Sequence, residues 1–248
     1  MTLRTFIAIM LLITAATVPL IVTAYLEIAV PRVNRELGLF YVRDTLLGAG
    51  SPEAVAAIVW DYRGLDTIYE TAVLYLAIVG GLSLFGTSKK LAKSVGVGLT
   101  LLARTSTKMI ALLIATISVA IALHGHLTPG GGFPGGSALA ISTMLIIPVF
   151  SIQTVLDRGI TSTKLVAIRG LALTGIGLTA LLPITKGLEI VTNLRFYPFQ
   201  VAGLTLSGSI SIYNVLEFLA VSSGFTAIAL YLSVPEEFYR EATGGIYA

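Results

Sequence analysis

The chain has 248 residues, of which 55% are hydrophobic and only 12% are charged, a balance outside the range of water-soluble globular domains. The formal net charge is +3, but the basic residues lie between apolar segments instead of forming one stripe, so no nucleic-acid partner is expected. Because the chain has no cysteine, it cannot form disulfides, thiolate zinc sites or iron–sulfur ligation of its own.

Six apolar windows predict an all-α, polytopic membrane protein with about six transmembrane helices, because each is close to the length needed to cross a hydrocarbon core of about 30 Å. They cover residues 6–26, 68–85, 109–123, 138–155, 165–184 and 210–232. The first window also has the features of a signal peptide, but we expect it to be retained as the first helix. Most of the 16 Lys and Arg residues, Arg169 among them, lie in segments that are cytoplasmic if the N-terminus is inside. We therefore expect a multi-pass protein of the cell membrane, N-in and C-in.

The long segment between the first two windows contains helix signals of its own. Ser51-Pro52-Glu53 predicts the start of a short helix that continues to about Trp60. Gly64 is expected to end this helix, and Asp66 or Thr67 is expected to cap the second transmembrane helix.

Glu70 follows about one turn into the second apolar window. One interpretation is structural, since Thr67 and Glu70 have the spacing of a capping box. The other is functional, because a carboxylate inside an apolar helix is costly unless it handles an ion. We take Glu70 as the first candidate for an ion-handling residue, with Asp66 as a neighbouring candidate.

The composition changes between the second and third windows, where Lys89, Lys90 and Lys93 stand among small and apolar residues. This change predicts a cytoplasmic linker over residues 89–103. It divides the chain into a two-helix module, 1–88, and a four-helix module, 104–248.

A stretch rich in glycine and proline joins the third and fourth windows. Its motif positions are His124, His126, Pro129, Gly130, Gly131, Gly132, Gly135 and Gly136. Glycine permits positive φ and close backbone approach, and non-helical backbone at membrane depth requires surrounding protein or a wet cavity. We therefore predict a re-entrant or tightly packed loop on the outer face. A His-x-His pair without acidic neighbours is a weak metal signal, so we predict no metal site, and a proton-relay role for the histidines stays open.

Glu217 lies well inside the last window and is the second ion-handling candidate, since it shares a helix face with Asn214. Gly170, Gly175 and Gly177 predict close helix packing. The sequence contains no phosphate-binding loop, credible nucleophile triad or dinucleotide fingerprint. We therefore expect no catalytic residues and no cofactor bound by this chain.

Residues 124–136, followed by an apolar helix, resemble the signature of the B-type subunit of Mrp-type multisubunit sodium/proton antiporters, and residues 209–225 resemble that family's last helix. The resemblance covers about residues 103–232. Separately, residues 60–70 resemble a helix start found near the C-terminus of the large A-type antiporter subunit and in the small E-type subunit of membrane-bound hydrogenases. Tyr69 stands where the antiporter pattern has glycine.

The combination looks like the E and F membrane subunits of an archaeal membrane-bound hydrogenase, or of its sulfur-reducing relative, joined in one chain. It implies a non-redox, non-catalytic subunit of the sodium/proton-translocating part of a respiratory energy-converting complex. Sodium ions and protons would be the transported species, and the partners would be other membrane subunits and the lipid bilayer. Two alternatives stay open: membership of a stand-alone Mrp-type antiporter, and a purely structural helical spacer between subunits.

Overall fold

The computed structural model describes residues 36–84, 99–195, 199–201 and 203–233, together with part of the segment 9–25. The chain divides into two compact units, Met1–Val42 and Arg43–Ala248. The predicted first helix, residues 6–26, falls partly outside the described residues, although the described positions between 9 and 25 are helical. The predicted linker, residues 89–103, falls largely outside them.

Short helices precede the first described transmembrane span: α1 (Glu36–Asp44), a π-helical turn (Thr45–Ala49), α2 (Ala54–Ala57) and a second π-helical turn (Ile58–Tyr62). The short helix was predicted at this place, but its cap is Glu53 and not Ser51. The Glu53 carboxylate accepts a hydrogen bond from the backbone N of Ala56. The Ser51 hydroxyl instead donates to the backbone O of His126 at 3.3 Å, so it ties two loops together.

Helix α3 (Gly64–Leu84) begins at the glycine that was expected to end the preceding helix. A Cβ atom at Gly64 would lie 2.2 Å from Cγ1 of Val191, so this position needs glycine for a close contact. The Thr67 hydroxyl donates to the backbone O of Val59 at 2.7 Å. The predicted capping role of Asp66 or Thr67, and the capping box with Glu70, are therefore wrong, because Thr67 lies inside the helix and bonds to the turn before it.

Four further long helices follow: α4 (Leu101–His124), α5 (Gly132–Phe150), α7 (Ser162–Leu181) and α8 (Ser209–Leu232). A single 3₁₀ turn, Leu182–Lys186, extends α7. With α3, they give five helices in the described part of the chain that are long and apolar enough to cross a membrane. The predicted all-α, polytopic fold is confirmed. The count of six helices and the N-in, C-in orientation stay predictions.

Two helix boundaries differ from the predicted windows. Helix α4 begins well before residue 109, because the Thr100 hydroxyl accepts a hydrogen bond from the N of Ala103 and Arg104 is exposed on the helix surface. The predicted window 138–155 is interrupted at Ser151, whose φ is +109°, shortly after Pro148 removes a helical donor. A separate short helix, α6 (Ile152–Asp157), follows.

One element was not predicted: a two-stranded hairpin in the segment between α7 and α8. Strands β1 (Phe199–Val201) and β2 (Leu204–Leu206) pair antiparallel, with Phe199 opposite Leu206. Each strand has three residues, so the hairpin closes a loop and does not alter the helical class.

Helix α8 is the centre of the bundle. It packs against α5 and α7, α5 also packs against α4, and α3 contacts α8 and α7. Two apolar clusters use opposite ends of α8, one around Leu230 and the other around Ile210 and Tyr213. Since lipid tails are as apolar as leucine, such a bundle depends on close packing and buried polar contacts more than on removal of apolar surface from water.

Candidate functional site

Glu217 lies inside the bundle, where α8 meets the first turn of α5. The residue is only 7% exposed, and its Oε2 accepts a hydrogen bond from the backbone N of Phe133 at 3.0 Å. A helix N-terminus presents unpaired N–H groups and the positive end of the helix dipole, so it stabilises a carboxylate. The structure thus gives this buried acid an electrostatic partner that the sequence alone did not indicate.

The glycine stretch provides the close approach that brings α5 to Glu217. A Cβ atom at Gly132 would lie 2.4 Å from the backbone O of Asn214 and 2.6 Å from Cβ of Glu217. One turn later, a Cβ atom at Gly136 would lie 2.9 Å from the backbone O of Phe218. These glycines are helical, so their placement in a loop was wrong, whereas close backbone approach is the role that they have.

Gly135 serves the other side of α5. A Cβ atom there would lie 2.7 Å from the backbone O of Ser118 and 2.9 Å from Cβ of Ala122, both in α4. The helical glycines of the stretch therefore let α5 contact α4 and α8 at backbone distance. Small residues at helix interfaces are the usual means of such packing in membranes.

The loop itself is short and folds back on the end of α4. A Cβ atom at Gly125 would lie 2.4 Å from the N of Gly131, and that N donates to the backbone O of Ile121 at 3.2 Å. Gly131 has a φ of +141°, which favours glycine. Gly130 and Pro129 are exposed at the tip. Tight packing is therefore present between Gly125 and Gly131.

The two histidines have separate environments. His124 is exposed at the end of α4, whereas His126 is 3% exposed and its Nε2 lies 2.7 Å from the backbone O of Thr205. The backbone O of His126 accepts hydrogen bonds from the hydroxyls of Ser51 and Ser207. Burial is the main cause that lowers the pKa of His126. Among the residues that the structure describes, no three His, Asp or Glu side chains converge on a possible metal position.

Glu70 and Asp66 lie on the exposed surface of α3. Glu70 is exposed and borders an open cavity of about 630 Å³, beside the exposed side chains of Tyr69 and Val73. Asp66 accepts a hydrogen bond from Nε of Arg63 at 2.8 Å, within an ion pair. Asp66 and Glu70 therefore share one surface, whereas Glu217 is buried and bonds to α5, although the carboxylates of Glu70 and Glu217 lie near enough for their charges to repel each other.

Asn193 organises a polar network that sequence reasoning missed. Its backbone N donates to Oδ1 of Asp61 at 2.6 Å, and its Nδ2 donates to the backbone O of Ala49 at 2.7 Å. Its Oδ1 accepts hydrogen bonds from the hydroxyl of Ser209 and the N of Ile210, so it satisfies the first turn of α8. Burial raises the pKa of Asp61. A single loop asparagine carries no sequence signal for such a role.

An aromatic stack joins the segment before α3 to the last helix. Trp60 and Tyr213 are both buried, and their rings lie parallel, with centroids 4.4 Å apart and an interplanar angle of 4°. The Trp60 contact and the Asp61 hydrogen bond to Asn193 place residues 60–61 against the start of α8.

Arg169 was counted as a charge of an inner segment, and this placement was wrong. It lies inside α7 and is 2% exposed. Its Nη1 donates to the backbone O of Ala220 in α8 at 2.7 Å, and its Cζ lies 5.5 Å from the ring centroid of Tyr75 in α3. The position of an arginine within an apolar run, between Ile168 and Gly170, was the available signal.

Known proteins match this chain in sequence and in fold. It is 26% identical over 122 residues to the B-type subunit of the Na(+)/H(+) antiporter of Bacillus subtilis strain 168, a match that covers 49% of this chain and 84% of that protein. Its fold matches a chain of the membrane-bound sulfane sulfur reductase, an archaeal respiratory membrane complex, at a TM-score of 0.69 and 24% identity, covering 93% of this chain and 98% of that one. It also matches a chain of the Mrp complex from Dietzia sp. DQ12-45-1b at a TM-score of 0.63 and 20% identity, covering 90% of this chain and 26% of that one.

The family described as a domain related to the MnhB subunit of Na+/H+ antiporters matches residues 102–227, just over half of the chain. This range begins at the start of α4 and ends inside α8, so it contains the glycine stretch, Arg169 and Glu217. The predicted resemblance to the B-type antiporter subunit, and with it the prediction of a multi-pass membrane subunit, is confirmed. The chain belongs to the MnhB-related family of antiporter subunit domains.

Proposed function

We propose that this chain is a non-redox, non-catalytic subunit of the sodium/proton-translocating module of a respiratory energy-converting complex, of the membrane-bound hydrogenase or sulfur-reductase type. Other membrane subunits are its partners. Sodium ions and protons are the transported species, and a separate part of the complex carries out the redox reaction.

The observation that carries this proposal is the extent of the two fold matches. The sulfur-reductase chain and this chain cover each other almost completely, whereas this chain corresponds to only 26% of the matched Mrp chain. The same fold therefore exists as a chain of about this length in a respiratory complex.

The module division belongs to this proposal. Residues 1–88 form the part that resembles the A-type antiporter subunit or the E-type hydrogenase subunit, residues 89–103 form the linker, and residues 104–248 form the MnhB-related part. Helix α4 begins at Leu101, slightly before the second module was expected to begin. The stack of Trp60 on Tyr213 supports a fixed contact between the two modules, since it joins residues from each at the start of α8.

We propose Glu70 as the main ion-handling residue. Its carboxylate projects from a membrane-spanning helix into an open cavity whose other walls include apolar side chains. A carboxylate facing hydrocarbon is costly, so this surface requires water, a cation or a neighbouring subunit. The exposed position therefore supports an ion site at a subunit interface. Asp66, held by Arg63, lies on the same surface and assists there.

Glu217 is the second ion-handling candidate, but its surroundings also support a structural role. It is buried and holds the N-terminus of α5 through Phe133. Loss of this carboxylate leaves the first turn of α5 without its acceptor, so a Glu217 variant is expected to affect assembly as well as transport.

The test is Glu70→Gln in the intact purified complex, reconstituted in sealed vesicles. Glutamine keeps the size and most of the hydrogen-bonding capacity but removes the charge that attracts a cation. We expect sodium uptake driven by the redox substrate to be lost while electron transfer is partly retained. Tyr69→Phe is the matched control, because Tyr69 is the exposed neighbour of Glu70 on α3.

Each outcome of this test supports a different assignment of the ion site. Unchanged sodium uptake in the Glu70 variant would remove Glu70 from the ion path, and loss in Glu217→Gln alone would move the site to α8. Normal uptake in Glu70→Gln, Glu217→Gln and Asp66→Asn would favour the helical spacer, in which all three acids have structural roles only.

Membership of a stand-alone Mrp-type antiporter is the second candidate, favoured by the match of the Dietzia Mrp chain to 90% of this chain. Isolation of the native complex and identification of its subunits by mass spectrometry distinguishes the two. Nickel or iron–sulfur subunits that co-purify support the respiratory complex. Their absence, with only antiporter subunits present, supports the stand-alone antiporter.

A further inference from the structure

Arg169 is a buried cation whose hydrogen bonds are only partly satisfied. Nη1 donates to the backbone O of Ala220, but Nε and Nη2 have no hydrogen-bond partner among the residues that the structure describes. No described carboxylate forms an ion pair with it. A charged guanidinium within a membrane bundle is costly, so its position requires a reason other than the stability of this chain.

The packing around Arg169 accommodates its guanidinium group. A Cβ atom at Gly224 of α8 would lie 1.9 Å from Nη1, so the guanidinium occupies the space that a side chain would otherwise fill. The ring of Tyr75 in α3 faces the cation at 5.5 Å, a distance at which an aromatic ring attracts a positive charge. Arg169 is therefore fixed between α3 and α8 by three neighbouring groups.

A cavity lies beside Tyr75, on the α3 side of the guanidinium. It has a volume of about 380 Å³ between α3 and α7 and is lined mostly by apolar side chains and glycine, with Thr71, Tyr75 and Thr174 as its polar residues. Gly170 and Gly177 also line it, and a Cβ atom at either would have no neighbour within 4 Å. These two glycines therefore leave the space open and do not bring helices of this chain together.

Buried polar side chains lie on the other side, along α8. Asn214 and Glu217 come before the Ala220 contact, and Ser222, Ser223 and Thr226 come after it; all five are buried. The Tyr75 ring borders the cavity and touches the guanidinium, and the guanidinium touches α8. Arg169 thus stands between this cavity and the buried polar side chains of α8.

We propose that Arg169 is an electrostatic barrier that prevents cations from crossing the bundle of this subunit. A fixed positive charge at low dielectric raises the energy of any second cation that approaches it, which is how an arginine or a helix dipole excludes cations in selective pores. The barrier confines sodium ions and protons to the coupled route of the complex. The inference rests on the chain's place in an ion-translocating complex and does not depend on Glu70 as the ion site.

The test measures passive leak and needs no redox turnover. Purified complex in sealed vesicles receives a potassium diffusion potential without redox substrate, and pH- and sodium-sensitive dyes inside report cation entry. Arg169→Met and Arg169→Gln remove the charge, and glutamine retains an N–H donor for Ala220. Arg169→Lys retains the charge. Arg104→Met is the matched control, because Arg104 is an exposed arginine on α4.

We expect both neutral variants to raise proton or sodium leak several-fold, while the lysine variant and the Arg104 control stay at the native level. Native leak in an assembled neutral variant overturns the barrier. Equal leak in the lysine variant also overturns it, because lost packing would then be the cause. Failure of both neutral variants to assemble would assign Arg169 to folding instead. Redox-driven sodium uptake, measured in parallel, reports separately on the proposed function.

Discussion

Replacement of Gly132 by alanine tests the packing of α5 on α8 most directly. The added Cβ atom would lie 2.4 Å from the backbone O of Asn214 and 2.8 Å from Oε2 of Glu217. The nearest atom belongs to the backbone, so no side-chain rotation relieves the contact, and the helices must separate. Overpacking of this kind costs about 1–3 kcal/mol, and loss of the charge-assisted bond from Phe133 to Glu217 adds about 1.5–3 kcal/mol.

A total of roughly 2.5–6 kcal/mol is a large part of the stability of a typical domain, which is about 5–15 kcal/mol. We therefore expect Gly132→Ala to lower the midpoint of thermal disassembly by on the order of 10 °C. The matched control is Gly170→Ala in α7. A Cβ atom there has no neighbour within 4 Å, and alanine favours the helix over glycine by about 1 kcal/mol, so the midpoint should stay level or rise slightly.

The assay is size-exclusion chromatography of the detergent-solubilised complex after heating, with subunit recovery as the readout. Sodium uptake of the surviving complex is measured beside it. If the two alanine variants have the same midpoint within about 1 °C, a difference too small for overpacking, the close approach of α5 to α8 is wrong. Normal recovery of the Gly132 variant with selective loss of sodium uptake would instead assign the glycine stretch a direct role in transport.

Two further predictions concern pH and topology. Burial holds the pKa of His126 in the folded chain below 6.5, its ordinary value in the unfolded chain, so the unfolded chain binds the proton more readily. The stability contributed by neutral His126 is therefore fully present above pH 6.5 and is lost as the pH falls below it. Thermal midpoints measured from about pH 7.5 to 5.5 should fall less in His126→Gln than in the native chain, and equal slopes would contradict this. Because the chain has no cysteine, Thr128→Cys and Arg158→Cys each give a unique label. A membrane-impermeant maleimide should reach position 128 from outside and position 158 from inside, and the reverse would invert the topology.

The helical class and the membrane location could be predicted because both follow from the length of the apolar runs, which can be counted directly in the sequence. The helix boundaries could not be predicted, because a charged residue ends an apolar window without ending a helix. Arg104 and Lys108 point outward from α4, so the helix begins at Leu101 although hydropathy indicates a later start. Arg169 shows the opposite error, because a charge read as part of an inner segment lies buried against α8.

For the glycine stretch, close backbone packing could be predicted but the helical conformation could not. Its glycines indicate close backbone approach, and the contacts of Gly132 and Gly136 with α8 have that character. Their helical conformation was not indicated, because glycine is among the poorest helix formers. Tertiary contacts determine the helical conformation of this segment. The first turn of α5 forms against α8, where the Glu217 carboxylate accepts a hydrogen bond from the backbone N of Phe133. The role of Asn193 depends on partners at residues 49, 61 and 209, and no local pattern connects such distant positions.

The two glutamates that we propose as ion-handling residues lie in opposite environments, and this contrast bears on where an ion can pass. Glu217 already has a partner in the N-terminus of α5, so binding a cation there must compete with a contact that holds two helices together. Glu70 has no comparable burial, and its carboxylate faces an open cavity on the outer surface of α3. A mobile cation exchanges more readily at a site whose ligand is not required for packing. From the two proposals, Glu70 as the main ion-handling residue and Arg169 as a barrier, we expect the ion route to run along the surface where α3 meets a neighbouring subunit and not through the interior of this bundle.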